Sequence, residues 1–175
     1  MGMKDLRIRD ARPSDRDAIE AVTLAAYEQY AAAMPAHWDL YRQNILSTLA
    51  AADPRAQIVA EAGDRTLGSV LLYPAGTVIA RHGGGSITLP SPEVRLLAVA
   101  PAARGQGVGF TLMQECIRRA RRSGATTLTL HTTEIMQAAV RLYERIGFVR
   151  AQELDFEPAP GVIIKGYRRG LEETS

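Results

Sequence analysis

The stretch APAARGQGVGFTLM, residues 100–113, places Gly105, Gly107 and Gly109 at alternate positions ahead of an apolar helical pattern. A glycine-rich turn can point successive backbone amides into one concavity, and the helix behind it adds the positive end of its dipole. A side chain at these positions would stand between the amides and an anion. The stretch therefore predicts a loop that binds a phosphate group.

Comparison with known phosphate-binding motifs narrows the range of possible ligands. A triphosphate loop needs the pattern G-x-x-x-x-G-K-[ST], and no Lys followed by Ser or Thr comes after Gly107 or Gly109. The dinucleotide fingerprint G-x-G-x-x-G begins correctly at Gly105, but its third glycine position holds Phe110. Glu134 after the next strand resembles the ribose-binding acid of that motif, so a dinucleotide stays open as an alternative. A tight turn without ligand is the other alternative.

Length and composition describe an ordinary globular chain. The 175 residues, 46% hydrophobic and 23% charged, predict one domain over residues 1–175, with a core at about 6–168 and a frayed C-terminal tail. A net charge of +2 gives no argument for nucleic acid as a partner. The single cysteine, Cys116, excludes an intramolecular disulfide and is interpreted as a buried apolar residue, and no residue spacing indicates a metal site.

No apolar run approaches the length of a membrane span, and the N-terminal MGMKDLRIRD lacks the hydrophobic stretch of a signal peptide. We therefore expect a cytoplasmic protein without a membrane partner.

Apolar periodicity predicts the element order β-α-α-β-β-β-α-β-α-β-β, which is an α/β (α+β) arrangement of a mixed sheet flanked by helices. Ser14 is the expected N-cap of the first helix. Residues 74–92 are expected to form a long loop with a short strand near Val78. The penultimate strand is expected over residues 148–156.

Two motifs resemble the GNAT superfamily of N-acetyltransferases. Arg104-x-x-Gly107-x-Gly109, after the strand residues Leu97-Ala98-Val99-Ala100-Pro101, looks like its acetyl-CoA loop. The run from Ala139 to Phe148, with Leu142-Tyr143-Glu144 and Gly147 inside it, resembles the last helix of the superfamily and the strand that follows. The resemblance covers about Leu6 to Arg168. It implies a mostly antiparallel central sheet of about seven strands, and superfamily members are often homodimers.

The resemblance also assigns the binding of the acyl donor. It implies acetyl-CoA as cosubstrate, with the pyrophosphate on the amides of the glycine loop and the pantetheine paired like an extra strand with a bulged central strand. The amide of Leu97 would polarise the thioester carbonyl, and a preorganised donor of that kind commonly contributes a few kcal/mol. The implied donor-binding residues are Leu97, Ala98, Val99, Arg104, Gly105, Gln106, Gly107, Val108 and Gly109.

Three further side chains bear on catalysis. Glu93 lies four residues before Leu97, so strand periodicity predicts that both share one face with Arg95 and Val99. In the histone-acetylating branch a Glu at this spacing is the general base, often through water; the alternative is a carboxylate that is solvated or paired with Arg95. Tyr143 matches the tyrosine proposed to protonate the leaving thiolate, and the alternative is a packing role. His131, on a strand, is interpreted as a core or rim histidine.

One residue departs from the family pattern. Many members carry a cofactor-binding Asn seven residues before the tyrosine, and this chain has Met136 there.

The sequence is therefore identified as an acetyl-CoA-dependent N-acetyltransferase. It is expected to pass acetyl directly to a primary amine in a ternary complex, with Glu93 as base and Tyr143 as acid. The acceptor is a small molecule or a peptide, and its identity cannot be read from the sequence. The alternative is a non-catalytic acyl-CoA-binding or sensing module on the same fold.

Overall fold

The structure is a computed structural model that describes residues 5–80 and 84–171. The predicted order of elements is present, with two differences in the strands. The elements are β1 Arg7–Asp10, α1 Arg16–Tyr27, α2 Trp38–Ala51, β2 Gln57–Ala62, β3 Arg65–Tyr73, β4 Val78–Ala80, β5 Ser86–Thr88, β6 Glu93–Val99, α3 Val108–Arg122, β7 Thr127–Thr132, α4 Gln137–Arg145, β8 Val149–Arg150, β9 Phe156–Ala159 and β10 Val162–Gly170.

The chain contains two compact units, and strand β6 contributes to both. One unit comprises the described part of Met1–Leu72 together with Leu96–Glu115, and the other comprises Tyr73–Arg95 and the described part of Cys116–Ser175. The prediction of a single domain stays a prediction. The predicted frayed tail falls mostly on residues 172–175, which lie outside the described residues.

The first unit holds the strand order β1-β2-β3-β6 and helices α1 and α2. β2 pairs antiparallel with both β1 and β3. Inside, the Thr23 hydroxyl donates to the carbonyl of Ile19 at 2.7 Å and lies 3.3 Å from the Ser69 hydroxyl, so this buried polar pair is satisfied. The apolar core of this unit includes Ile19, Val22, Ala26, Ile45, Ile58, Val59, Val70, Leu71, Ala98, Leu112 and Met113.

Gly68 allows the first turn of α3 to lie against β3. A Cβ atom at this position would stand 2.6 Å from the carbonyl oxygen of Ala98 and 3.1 Å from Cγ1 of Val108. Real Cβ atoms do not approach backbone oxygen that closely, so the site accepts only glycine without a backbone shift. The position of α3, and of the glycine loop that leads into it, therefore depends on Gly68 in β3.

Replacing Gly68 with Ala is expected to lower the free energy of unfolding by about 1–3 kcal/mol, the usual cost of forcing extra atoms into a packed site. Urea denaturation measures the change. Gly170→Ala is the matched control, because a Cβ at that exposed glycine meets nothing within 4 Å and its φ is not positive. Equal stability of the two variants would contradict this account of Gly68.

The second unit holds the strand order β6-β7-β10-β8, with β9 paired to β10. β6 and β7 run parallel, whereas β7, β8 and β9 each pair antiparallel with β10. The fold class predicted from the sequence, a mostly antiparallel sheet with helices, is confirmed. Fully or almost fully buried residues of this unit include Val94, Cys116, Ile117, Ala120, Leu128, Leu130, Phe148 and Ala151.

The segment 74–92 contains more regular structure than expected. The short strand predicted near Val78 is present as β4, and it forms a hairpin with β5, which the sequence analysis did not predict. The glycines after His82 invited the interpretation as loop, although Gly84 and Gly85, both with positive φ, precede a strand directly.

The predicted strand over 148–156 is wrong. Pairing stops after Arg150, a short 3-10 turn follows at Gln152–Leu154, and a separate strand begins at Phe156. The physical reason is Asp155: its carboxylate accepts two hydrogen bonds from the Arg150 guanidinium, each 2.8 Å, and one from the amide of Gly166, also 2.8 Å. The Asp155 side chain thus accepts the hydrogen bond from the Gly166 amide that a backbone carbonyl of a continuing strand would have accepted.

The expected cap at Ser14 is also wrong. Ser14 lies in a 3-10 turn, Pro13–Asp15, and Asp15 occupies the N-cap position of α1. The Asp15 carboxylate accepts from the amide of Arg12 at 2.6 Å and from the guanidinium of Arg9 at 2.6 and 2.9 Å. These bonds, with the Arg9 guanidinium first among them, lower the pKa of Asp15 to about 2. The ionised side chain therefore fixes the entry into the helix.

Candidate functional site

Strand β6 carries a backbone irregularity at its centre. Leu96 has φ of +48°, a conformation that side-chain-bearing residues rarely adopt. The parallel register of β6 with β7 comprises Glu93 with Thr129 and Val94 with Leu130, both before Leu96. A left-handed residue in mid-strand is the distortion expected of a bulged strand.

The distortion corrects one inference from the sequence. The prediction that Glu93 and Arg95 share a face with Leu97 and Val99 assumed an unbroken alternation of side chains. That alternation requires extended backbone at every residue, and Leu96 is not extended. The shared face is therefore not supported beyond Arg95.

The glycine loop belongs to the first unit and leads into α3. After a 3-10 turn at Pro101–Ala103, Gly105 and Gly107 take φ of +73° and +80°. The Gly107 carbonyl accepts the first helical hydrogen bond, from the amide of Thr111 at 2.9 Å. Within the described residues, the amides of Gly105 to Gly109 donate no backbone hydrogen bond, as expected for amides that precede or open a helix. Such amides can bind an anion.

The side chains around the loop are engaged with the protein. The guanidinium of Arg104 donates through Nη2 to the carbonyl of Ala26, near the C-terminal end of α1, at 3.2 Å. The Gln106 amide group donates to the carbonyl of Ala102 at 3.0 Å. Both contacts hold the loop in place and leave anion binding to the backbone. The Arg104 contact was not predictable, because it joins residues 78 positions apart.

Glu93, in the second unit, is a buried carboxylate with a partner at each oxygen. Only 5% of its side chain is exposed. Oε1 accepts from Nε of Arg95 at 2.7 Å, and Oε2 faces Nδ1 of His131 at 3.5 Å. The alternative of an ion pair with Arg95 is therefore observed, whereas the role of Glu93 as base stays a prediction.

The electrostatic environment of Glu93 combines two opposing effects. Burial by itself raises the pKa of the carboxyl group, but the interactions with His131 and Arg95 together outweigh burial and hold the pKa below its ordinary value. Tyr73 lies below the Arg95 guanidinium, whose carbon is 5.8 Å from the ring centroid. Burial raises the pKa of Tyr73, Arg95 opposes that rise and Glu93 adds to it. Glu93 thus belongs to a charged cluster, and it is ionised at neutral pH.

His131 was interpreted as a core or rim histidine, with a base as the weaker alternative, and the structure places it against Glu93. Its Nε2 lies 2.9 Å from the carbonyl oxygen of Leu154, and its ring meets that of Phe156 edge-on with centroids 5.3 Å apart. Glu93 and His131 come from parallel strands whose register was unknown, so no sequence spacing could have paired them. The available signals were a histidine near the end of one strand and a glutamate at the start of another.

Tyr143 lies on α4 and is 7% exposed. Its ring centroid is 6.0 Å from that of Phe148, so its packing alternative is supported, and its role as acid stays a prediction. Met136 occupies the N-cap position of α4, where it makes no capping hydrogen bond and is 7% exposed. Cys116 is fully buried, as the sequence analysis expected.

Two surveys of the described residues complete the site. Among them, no group of three or more His, Cys, Asp or Glu side chains is placed to hold a metal ion. No helix in the described part of the chain has the length and apolarity to cross a membrane.

Comparison with a solved structure and with a family model identifies the class of proteins to which this chain belongs. A solved structure from Brucella melitensis, a GNAT family acetyltransferase in complex with acetyl-CoA, is similar with a TM-score of 0.58 and 25% sequence identity, over 82% of each chain. The model of the acetyltransferase (GNAT) family matches residues 23–148 of this chain. The chain belongs to the acetyltransferase (GNAT) family.

Individual relatives share only part of their length with this chain. A mycothiol acetyltransferase from Geodermatophilus obscurus is 36% identical over 100 residues, which are 56% of this chain and 30% of the relative. The N-alpha-acetyltransferase MAK3 of Arabidopsis thaliana is 30% identical over 79 residues, 45% of this chain and 41% of the relative. The chain thus matches less than half of either protein.

Proposed function

We propose that this protein is an N-acetyltransferase that passes acetyl directly from acetyl-CoA to a primary amine. The observation that carries the proposal is the loop of residues 104–109, whose left-handed Gly105 and Gly107 lead a set of backbone amides into α3 in a chain of the acetyltransferase (GNAT) family. The complex of the Brucella relative with acetyl-CoA supports the choice of donor.

Donor binding uses backbone groups. The pyrophosphate of acetyl-CoA lies on the amides of the glycine loop, where the dipole of α3 adds to the attraction. Pantetheine runs along Leu97, Ala98 and Val99, and the Leu97 amide donates to the thioester oxygen as negative charge develops on it. The distortion at Leu96 supports this assignment, because a bulged strand has backbone groups that its neighbour does not use.

The transfer moves one proton from nitrogen to sulfur overall. The neutral amine attacks the thioester carbon, the C–N bond forms and the C–S bond breaks. Glu93 receives the proton that leaves nitrogen, and Tyr143 supplies the proton that the departing sulfur takes. Before the next turnover Glu93 gives its proton to solvent and Tyr143 regains one from solvent. Most of the remaining rate enhancement comes from holding amine and thioester together in the ternary complex.

Release of free thiol from acetyl-CoA tests the proposal across a panel of amines: peptides with a free N-terminus, a lysine peptide, a polyamine, an aminoglycoside and single amino acids. The names of the two relatives support a panel with both small-molecule and peptide acceptors. Turnover with one class identifies the acceptor. Acetyl-CoA binding by calorimetry without turnover on any amine would favour a sensing module, and absence of binding would overturn the assignment.

Replacing Gly107 with Ala is expected to weaken acetyl-CoA binding by about 5–30-fold. A side chain at φ of +80° costs about 1–2 kcal/mol, so the free loop relaxes and binding must restore the strained form. Calorimetry with acetyl-CoA measures the dissociation constant. Gly161→Ala is the matched control, since Gly161 has φ of +79° in the turn between β9 and β10. Equal loss of affinity in both variants would contradict the assignment of the loop.

A further inference from the structure

The two ring nitrogens of His131 face oxygen atoms. Nε2 lies 2.9 Å from the carbonyl of Leu154, which can only accept, so Nε2 carries a proton. Nδ1 lies 3.5 Å from Oε2 of Glu93 and, within the described residues, makes no hydrogen bond of ordinary geometry. Without a proton, Nδ1 directs a lone pair at the carboxylate; with a proton, it can donate to Oε2, and only in that form does it favour the ionised Glu93. The pair has room for one proton between Nδ1 and Oε2.

The other groups around Glu93 do not occupy the position between Nδ1 of His131 and Oε2 of Glu93. Oε1 of Glu93 is taken by Arg95, so Oε2 is the oxygen that gains from a proton. The charged and titratable groups around Glu93 are Arg95 on its own strand, Tyr73 on β3 and His131 on β7. On β10, Lys165 is already paired with Glu134. The cluster of Glu93, Arg95 and neutral His131 has no net charge, and uptake of one proton makes it +1.

We propose that Glu93 and His131 form a one-proton dyad, in which a proton received at Glu93 is held between Oε2 of Glu93 and Nδ1 of His131. The second part of the inference rests on the proposed function: His131 is the positioning residue that lets a buried, ion-paired carboxylate act as the base. The proton leaves the acceptor nitrogen, resides in the dyad while the C–N bond forms, and passes to solvent after product release.

The advantage of adding His131 to Glu93 as a proton acceptor follows from the chemistry of the two side-chain types. An imidazole nitrogen is in general a stronger base than a carboxylate. A carboxylate held by Arg95 is a weak base for an ammonium group. Sharing the proton with an imidazole nitrogen makes the same site a stronger one.

The dyad is tested first in the protein without substrates. The Glu93 carboxyl carbon is followed by 13C NMR as pH is lowered, and Glu93→Gln assigns its signal. His131→Gln keeps a donor to the Leu154 carbonyl and removes the partner of Oε2, so the pKa of Glu93 is expected to rise. An unchanged titration of Glu93 in His131→Gln would overturn the dyad, whatever the activity.

Measurements of turnover test whether His131 assists Glu93 by holding the proton. His131→Asn places an amide donor where Nδ1 stands, so it keeps the orientation of Glu93 but cannot hold the proton. We expect kcat to fall by about 10–100-fold near neutral pH in both His131 variants, with an unchanged KM for acetyl-CoA. Wild-type kcat in His131→Asn would overturn the role. Phe156→Leu alters the packing of the ring and leaves both nitrogens, so it should keep wild-type kcat; a loss equal to that of His131→Asn would also overturn it.

These arms separate the two proposals. If none of the amines in the panel causes the wild-type protein to release thiol, the proposed function fails, while the titration of Glu93 still decides the dyad. If thiol is released normally and the titration does not respond to His131, the dyad alone fails.

Discussion

The Glu93→Gln variant is expected to transfer acetyl about 10²–10⁴-fold more slowly than the wild-type protein, the usual contribution of a general base. Glutamine keeps the size of the side chain and can still accept from Arg95, but it cannot take a proton. Because Glu93 is assigned to proton transfer and not to donor binding, the KM for acetyl-CoA should stay near the wild-type value. Steady-state thiol release with the best amine of the panel measures both constants.

The pH dependence of the wild-type protein gives a second measurement of the same group. His131 and Arg95 hold the pKa of Glu93 below its ordinary value despite burial. The carboxylate is therefore ionised throughout the neutral range, and it is lost as pH falls through that lowered pKa. If Glu93 alone is the base, the acid limb of kcat/KM should lie below the ordinary pKa of a glutamate. If the one-proton dyad is the base, the limb should lie above that value, and Glu93→Gln should remove it in either case.

A matched control separates catalysis from the loss of an ion pair. Glu153 pairs with Arg168 at 2.6 Å and is about half exposed, so Glu153→Gln removes the same charge from a Glu–Arg pair outside the proposed site. That variant should keep wild-type kcat. Glu93→Gln will also lose some stability, since it leaves the Arg95 charge without its partner. Wild-type kcat in a folded Glu93→Gln protein would contradict the assignment of the base.

The sequence predicted the elements that carry the donor site because their signals are local. The apolar run of β6 lies between Pro92 and Ala100-Pro101, which mark its ends in the sequence. The glycines of the loop were informative for the same reason, because positive φ at Gly105 and Gly107 is a property of those residues themselves.

The features that escaped prediction depend on tertiary contacts. The family resemblance implied a bulge in the central strand, but nothing about a leucine indicates that Leu96 takes the left-handed conformation, which surrounding structure imposes on an unfavourable residue. The approach of His131 to Glu93 depends on the register of two parallel strands. Asp155 ends a strand through bonds to Arg150 and Gly166, and no local pattern encodes them. The proposed chemistry uses both kinds of feature: a locally encoded loop for the donor and a cluster built by strand pairing for the proton.

The Tyr143→Phe variant is expected to lower kcat by about 10²-fold, at the lower end of the range for a general acid. Phenylalanine fills nearly the same volume, so the packing of a ring that is 7% exposed and lies near Phe148 is retained. Without the hydroxyl, sulfur must depart as the thiolate or take a proton from water. Steady-state thiol release gives kcat and the KM for acetyl-CoA, and the KM should not change.

A matched control separates an acid from a buried tyrosine that merely packs. A phenol can supply the proton that the sulfur takes, and a phenylalanine cannot. Tyr167→Phe is the control, because it removes the same hydroxyl from a tyrosine that is 5% exposed on β10, with its ring beneath the Arg150 guanidinium at 5.3 Å. That variant should keep wild-type kcat. If both variants lose the same activity, Tyr143 is a packing residue, and the leaving thiolate draws its proton from elsewhere.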